Sequence, residues 1–180
     1  MKKRFGLAVI GICAILLTGT TGCALHAHLQ KSLVAEEDLL PKPQINVSVA
    51  ITAVPHPSTG KVNFCSTWLG PNTLDYADLT DYAVQSMTDI FTRNSIEVIN
   101  TAEKKLSVSI AQASCIQEAA AMKYVVDIKV RAGDLPTKQF SGYQRLWSGR
   151  ALGFTVTAAT LNAVLEMFKD EEIRRYLEST

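Results

Sequence analysis

The sequence predicts an α+β fold: a largely antiparallel sheet with two main helices packed on one face. Three observations carry that expectation. Several short stretches alternate apolar and polar residues, the period of two expected of half-buried strands. Two longer stretches repeat their apolar residues every three or four positions, which gives a helix one buried stripe. The order is strand, helix, several strands, helix, as in a two-layer domain with helices covering a sheet.

The folded region opens with Ile45, Val47, Val49, Ile51 and Ala53 alternating with Asn46, Ser48, Ala50 and Thr52, a strand over 45–53. Pro55-His56-Pro57-Ser58-Thr59-Gly60 ends it, because proline cannot donate to a ladder. Between two prolines, His56 reads as a loop residue and not as a catalytic base. An extended segment runs over 61–68, and Gly70-Pro71-Asn72 is a break. Leu79, Ala83, Met87 and Ile90, flanked by Tyr76 and Phe91, then predict a helix over 75–93. Asp75, Asp78 and Asp81 crowd its start, where carboxylates are favoured by the helix dipole. With no partnering His or Glu in sequence they read as capping and solubilising groups, not as a metal site. Asn94 is a left-handed stop.

A short strand is expected over 96–99, followed by Leu106, Val108 and Ile110 alternating with serines. Tyr124, Val126, Ile128 and Val130 alternate with Val125, Asp127, Lys129 and Arg131. Gly133-Asp134-Leu135-Pro136 turns the chain, and 139–151 returns as a strand. Tyr143, Arg145 and Trp147 fall on one face of that strand. Such a stripe suits a glycan, a lipid head group or a protein partner, while a partly covered face whose Arg reaches into water is the plainer reading. Val156, Ala159, Ala163, Val164, Met167 and Phe168 predict the last main helix, with Thr155 or Thr157 as its N-cap after Gly153. Asp170-Glu171-Glu172 reads as a fresh acidic helix start, with Ile173, Tyr176 and Leu177 as its docking side.

The N-terminus carries an address. Lys2-Lys3-Arg4, an apolar run over 5–17 and Gly19-Thr20-Thr21-Gly22 before Cys23 read as a signal peptide over residues 1–22. Thr20-Thr21-Gly22-Cys23 resembles the lipobox of bacterial lipoproteins, with Thr20 where a Leu is usual. That resemblance implies an acyl (palmitate) anchor on Cys23 and, with Ala24 and not Asp behind it, a place on the periplasm-facing side of the outer membrane. Free secretion into the periplasm and an uncleaved inner-membrane anchor are the alternatives. Residues 23–43 read as a tether, with His26, His28, the acidic Glu36-Glu37-Asp38 and Pro41-Lys42-Pro43 and no sustained period. Residues 44–180 read as a single α+β domain. His26 and His28 offer two metal ligands without a third nearby, so no metal is expected.

Composition and cysteines narrow the function. The chain has 18 Lys plus Arg against 17 Asp plus Glu; residues 1–22 hold three of the basic ones, so 15 minus 17 leaves −2 on the rest. Bulk charge therefore gives no reason to expect nucleic acid as a partner. Cys13 leaves with the signal peptide and Cys23 takes the lipid. Cys65 and Cys115 remain as an even pair in an oxidising compartment, a disulfide candidate whose alternative is two small buried thiols. No C-x-x-C, G-x-S-x-G, H-E-x-x-H or phosphate loop occurs. Neither enzymatic activity nor a cofactor is expected.

Cys23, the strand at 45–53, the helix at 75–93, the strands at 106–110 and 124–131 and the closing helix at 158–177 together resemble the YajG-like outer-membrane lipoproteins. More distantly they resemble the LptE-like lipoproteins of lipopolysaccharide assembly. The resemblance implies a non-enzymatic envelope protein with Cys23 as its functional residue. The expected role is an accessory or docking subunit of a cell-envelope assembly or transport complex, bound to the membrane by its lipid and to an envelope protein partner. The alternative is an envelope lipid or glycan binding module using the Tyr143, Arg145 and Trp147 face.

Overall fold

A computed structural model describes residues 25–26, 47–67, 70–119, 121–146 and 152–179. The elements are β1 (Leu25–His26), β2 (Ser48–Ala53), β3 (Lys61–Thr67), β4 (Gly70–Asp75), α1 (Tyr76–Arg93), β5 (Glu97–Val98), β6 (Lys104–Gln117), β7 (Met122–Ala132), β8 (Lys138–Leu146), α2 (Leu152–Lys169) and α3 (Glu171–Glu178). They form a five-stranded sheet in the order β5-β2-β6-β7-β8 and a three-stranded sheet in the order β1-β4-β3.

The expectation of a largely antiparallel sheet with two helices is corrected here. In the five-stranded sheet, β2 pairs in parallel with both β5 and β6, and only β6-β7 and β7-β8 are antiparallel. The smaller sheet is also mixed, β1 lying parallel and β3 antiparallel to β4, and α3 adds a third helix. The cause is α1, which carries the chain back along the sheet between β2 and β5, as parallel neighbours require. Alternation in sequence reports which face of a strand is buried and is silent on its direction. Gly70-Pro71-Asn72 is likewise strand and not a break: Pro71 sits opposite Ser66 near the start of β4.

The core lies between the sheet and the helices. Val49, Leu106, Val108, Ile110, Val126, Ile128 and Val130 point inward from the strands. They meet Leu79, Ala83, Met87 and Ile90 of α1 and Val156, Ala159, Ala163, Val164 and Met167 of α2. Phe91 and Phe168 join the two helices edge to face, with ring centroids 5.1 Å apart. Asp75 caps α1 by accepting from the Ala77 N–H at 2.8 Å. The positive φ at its other end falls on Ser95 (61°) and not on Asn94. Thr155 and Thr157 are buried inside α2, not N-caps, and the Thr157 hydroxyl donates to the Phe154 carbonyl at 2.9 Å.

Two bulges set the phase of the long strands. In β6 the register slips between Ile110 and Gln112, so Ala111 is an extra residue. Before it the buried positions are Leu106, Val108 and Ile110; after it Ala113 is the buried one and Cys115 shares its phase. A second slip, between Asn63 and Cys65 in β3, buries Phe64 and Cys65 together. Cys65 and Cys115 stand at disulfide distance with Cα atoms 5.4 Å apart, joining the two sheets. Without the slip in β6, an unbroken alternation from Ile110 would turn Cys115 to the other face.

At the opposite end α3 docks on the sheet through Tyr176. Its hydroxyl accepts from the Lys105 N–H at 2.8 Å, and Lys104 Nζ donates to the Tyr176 carbonyl and to Ser179 Oγ. Burial pulls the Lys104 ammonium below its ordinary value, with the Glu103 charge partly opposing it. Gly133, at φ +55°, is in contact with the Tyr176 ring, where a Cβ would collide.

Candidate functional site

The outer edge of β8 is one of the sheet edges the fold leaves open among the described residues. Among the described residues β8 has one strand neighbour, β7. The Asn162 side-chain amide of α2 donates to the Tyr143 carbonyl at 2.8 Å, which places that carbonyl on the side away from β7. Backbone groups in an antiparallel strand alternate sides, so Gln139, Ser141, Tyr143 and Arg145 direct their N–H and C=O groups outward. The edge borders a groove of about 950 Å³ between β8 and α2, lined among others by Phe140, Gln144, Asn162 and Leu165.

Gly142 makes the groove. A Cβ there would overlap the Ala159 carbonyl oxygen and the Ala163 nitrogen of α2, so only glycine lets the helix lie against the strand. Ala159 and Ala163, one helical turn apart and both fully buried, supply the flat surface it meets. One end of the groove is closed by ion pairs: Lys138 Nζ lies 2.8 Å from Asp170 Oδ2 and also contacts Glu172. Burial works against the Asp170 carboxylate, but the Lys138 hydrogen bond and the backbone N–H groups of Ile173 and Glu172 outweigh it and hold its pKa below the usual value. Lys138 is raised in turn, by its hydrogen bonds to Asp170 and Glu172. Asp170 also caps α3, accepting from Glu172 and Ile173 at 3.1 Å.

Tyr143 and Arg145 share the outer face of β8, as their spacing predicts; Trp147 lies outside the described residues. Tyr143 is 54% exposed, and Lys123 of β7 sits 4.4 Å from its ring centroid. Arg145 pairs with Glu118 through Nε at 2.8 Å and Nη2 at 3.3 Å. That hydrogen bond, and then the Glu118 charge, raises the arginine pKa further. Cys23 also lies outside the described residues, but β1 begins two positions after it and pairs Leu25 with Asn72 and His26 with Thr73. Asn72 is 2% exposed, and its Oδ1 has no hydrogen-bond partner among the described residues. His56 packs edge to face on Tyr76 at 4.4 Å and accepts from the Ser58 N–H.

Of the aspartates at the start of α1, Asp75 is the cap while Asp78 and Asp81 are exposed. Among the described residues no three His, Cys, Asp or Glu side chains gather closely enough to hold a metal, and no helix is long and apolar enough to cross a membrane. The groove and Asn162 were not legible in sequence. Gly142, a glycine inside a strand, is the signal that could have exposed them, since it marks close backbone approach.

No family model matches the sequence, and no curated protein matches it. Among solved structures the chain is similar to protein XCC0632 from Xanthomonas campestris, described by the family-model DUF330, at 12% identity and a TM-score of 0.48. That likeness covers 86% of this chain and 95% of the other. It is also similar to the hypothetical protein CT253 from Chlamydia trachomatis, at 9% identity and a TM-score of 0.43, over 74% of this chain and 96% of that one. Neither likeness bears on what this chain does.

Proposed function

We propose that the chain is a non-enzymatic, lipid-anchored envelope protein of YajG-like kinship. In this reading it docks an extended segment of an envelope protein on the outer edge of β8, as an accessory subunit of an assembly or transport complex. The observation that supports this best is the open β8 edge beside the groove under α2. Strand addition draws affinity from main-chain hydrogen bonds and specificity from pockets that take alternate side chains. Phe140 and Leu165 supply apolar contact in the groove, and Gln144 and Asn162 supply polar contacts. The anchor rests on Cys23, and a diacylglyceryl mass on the N-terminal peptide of the mature protein tests it separately.

Ser141→Pro tests the edge. Proline removes an N–H that points outward, so the β7 ladder is kept. A photo-crosslinker at position 139 in intact cells is expected to yield a discrete adduct with an envelope protein, lost in Ser141→Pro and kept in Ser141→Ala. No adduct, or one indifferent to the proline, would overturn the assignment.

The exposed Tyr143 with Lys123 on its ring favours a second reading, an envelope lipid or glycan module using Tyr143, Arg145 and Trp147. Ligand binding left unchanged by Arg145→Ala combined with Trp147→Ala would remove that site.

A further inference from the structure

The helices cover one face of the five-stranded sheet; among the described residues no element covers the other. Its charges lean positive. Lys105 of β6, Lys123, Lys129 and Arg131 of β7 and Arg145 of β8 stand on this open face, against two strand carboxylates, Asp127 of β7 and Glu97 at the β5 edge. With Glu118, the partner of Arg145, five cations face three anions, a surplus of two. Asp127 is already engaged by the Ser141 hydroxyl, and Glu118 by Arg145. No ion pair among the described residues involves Lys105, Lys129 or Arg131. Between the cations the face is largely serine and glutamine, with Ser107 opposite Arg131 and Ser109 opposite Lys129.

One end of this face differs. Ile116 and Tyr143, 53% and 54% exposed, are the most exposed large hydrophobic residues among those described, and they stand in adjacent cross-strand rows. Ile116 is opposite Lys123, which is opposite Arg145; Ser114 is opposite Val125, which is opposite Tyr143.

We infer that the open sheet face rests on an anionic phospholipid surface, Ile116 and Tyr143 entering the head-group layer and the cations of β6 and β7 lying on the lipid phosphates. The inference rests on the exposed Ile116 and Tyr143 for its orientation and on charge for its ligand. An amphipathic tyrosine suits the interface, and basic residues near an anionic leaflet each add to binding. β8's outer edge stays free in this pose, so membrane contact and strand docking are compatible.

The test is partition of the full purified chain onto vesicles of equal phosphatidylglycerol and phosphatidylcholine, compared with phosphatidylcholine alone. A lipid on Cys23 contributes to both; the difference reads the face. Stronger binding to the anionic vesicles is expected, lost in 0.5 M salt. Each neutralised cation should cost about fivefold, so Lys129→Gln with Arg131→Gln should cost about 25-fold, with Lys123→Gln as an independent variant. All three substitutions are on exposed or half-exposed positions, and an unchanged melting curve checks the fold. Equal partition onto the two vesicle types would overturn the inference while leaving the anchor standing. Anionic preference with no binding to phosphatidylcholine would remove the anchor and keep the face. If the double variant keeps its vesicle binding but loses a crosslinked partner, the face belongs to an acidic protein and the inference fails.

Discussion

Reducing the Cys65–Cys115 disulfide is expected to destabilise the domain by about 4 kcal/mol. The two cysteines are 50 residues apart in sequence, and closing a loop of that length removes about 14 cal/mol/K of entropy from the unfolded chain, or about 4 kcal/mol at 25 °C. Reduction leaves both sulfur atoms in place, so no cavity term is added. For a domain of this size each kcal/mol moves the melting temperature by about 2–4 °C, which gives a fall of about 8–16 °C. The assay is a thermal melt of oxidised and reduced protein, with alkylation and mass counting the free thiols. Denaturant unfolding should also steepen on reduction, because an uncrosslinked denatured chain exposes more surface. Locally, amide exchange should rise first in β3 and β4, whose sheet loses its covalent link to β6. Complete reduction with an unmoved melt would refute the reasoning, since it would mean that the bond constrains nothing in the unfolded state that the fold does not offset.

Gly142→Ala forces a Cβ into the backbone of α2 at Ala159 and Ala163; because backbone cannot rotate away, a loss of about 3 kcal/mol is expected, read as a lower melting midpoint. Ser141→Ala gives up only the exposed hydroxyl contact with Asp127 and should cost no more than about 1 kcal/mol. Asp170→Asn keeps a capping oxygen but loses the charge paired with Lys138. Since the folded pKa of Asp170 is depressed, its ionic contribution is complete above the unfolded value and is lost as pH falls through the folded one. The stability gap between parent and Asp170→Asn should therefore be open at pH 7 and close in acid, and a gap that persisted at pH 2 would refute the pairing argument.

Much of the fold was legible because its signals are local. Leu79, Ala83, Met87 and Ile90 repeat at helical steps and form the buried stripe of α1; Tyr124, Val126, Ile128 and Val130 alternate and line the inner face of β7. The Cys65 and Cys115 pairing was one of two expectations from counting cysteines, and the structure brings the two to disulfide distance. The site was less legible. Tyr143 and Arg145 were found on one face by their spacing, whereas the groove depends on Asn162 and Gly142, nineteen or more positions apart or silent in their chemistry until α2 lies on β8.

By itself, then, the sequence determined where the elements lie, which sides of them are apolar, and that a lipobox-like Cys23 precedes them, because periodicity and composition act over a few residues. Only the tertiary structure decided strand direction, the mixed pairing around β2, and the bulge at Ala111 that aims Cys115 at Cys65. It also gathered five cations from three strands on one open face. Each of these depends on register between segments far apart in the chain, and register is fixed by what packs against what, which no single stretch of sequence contains.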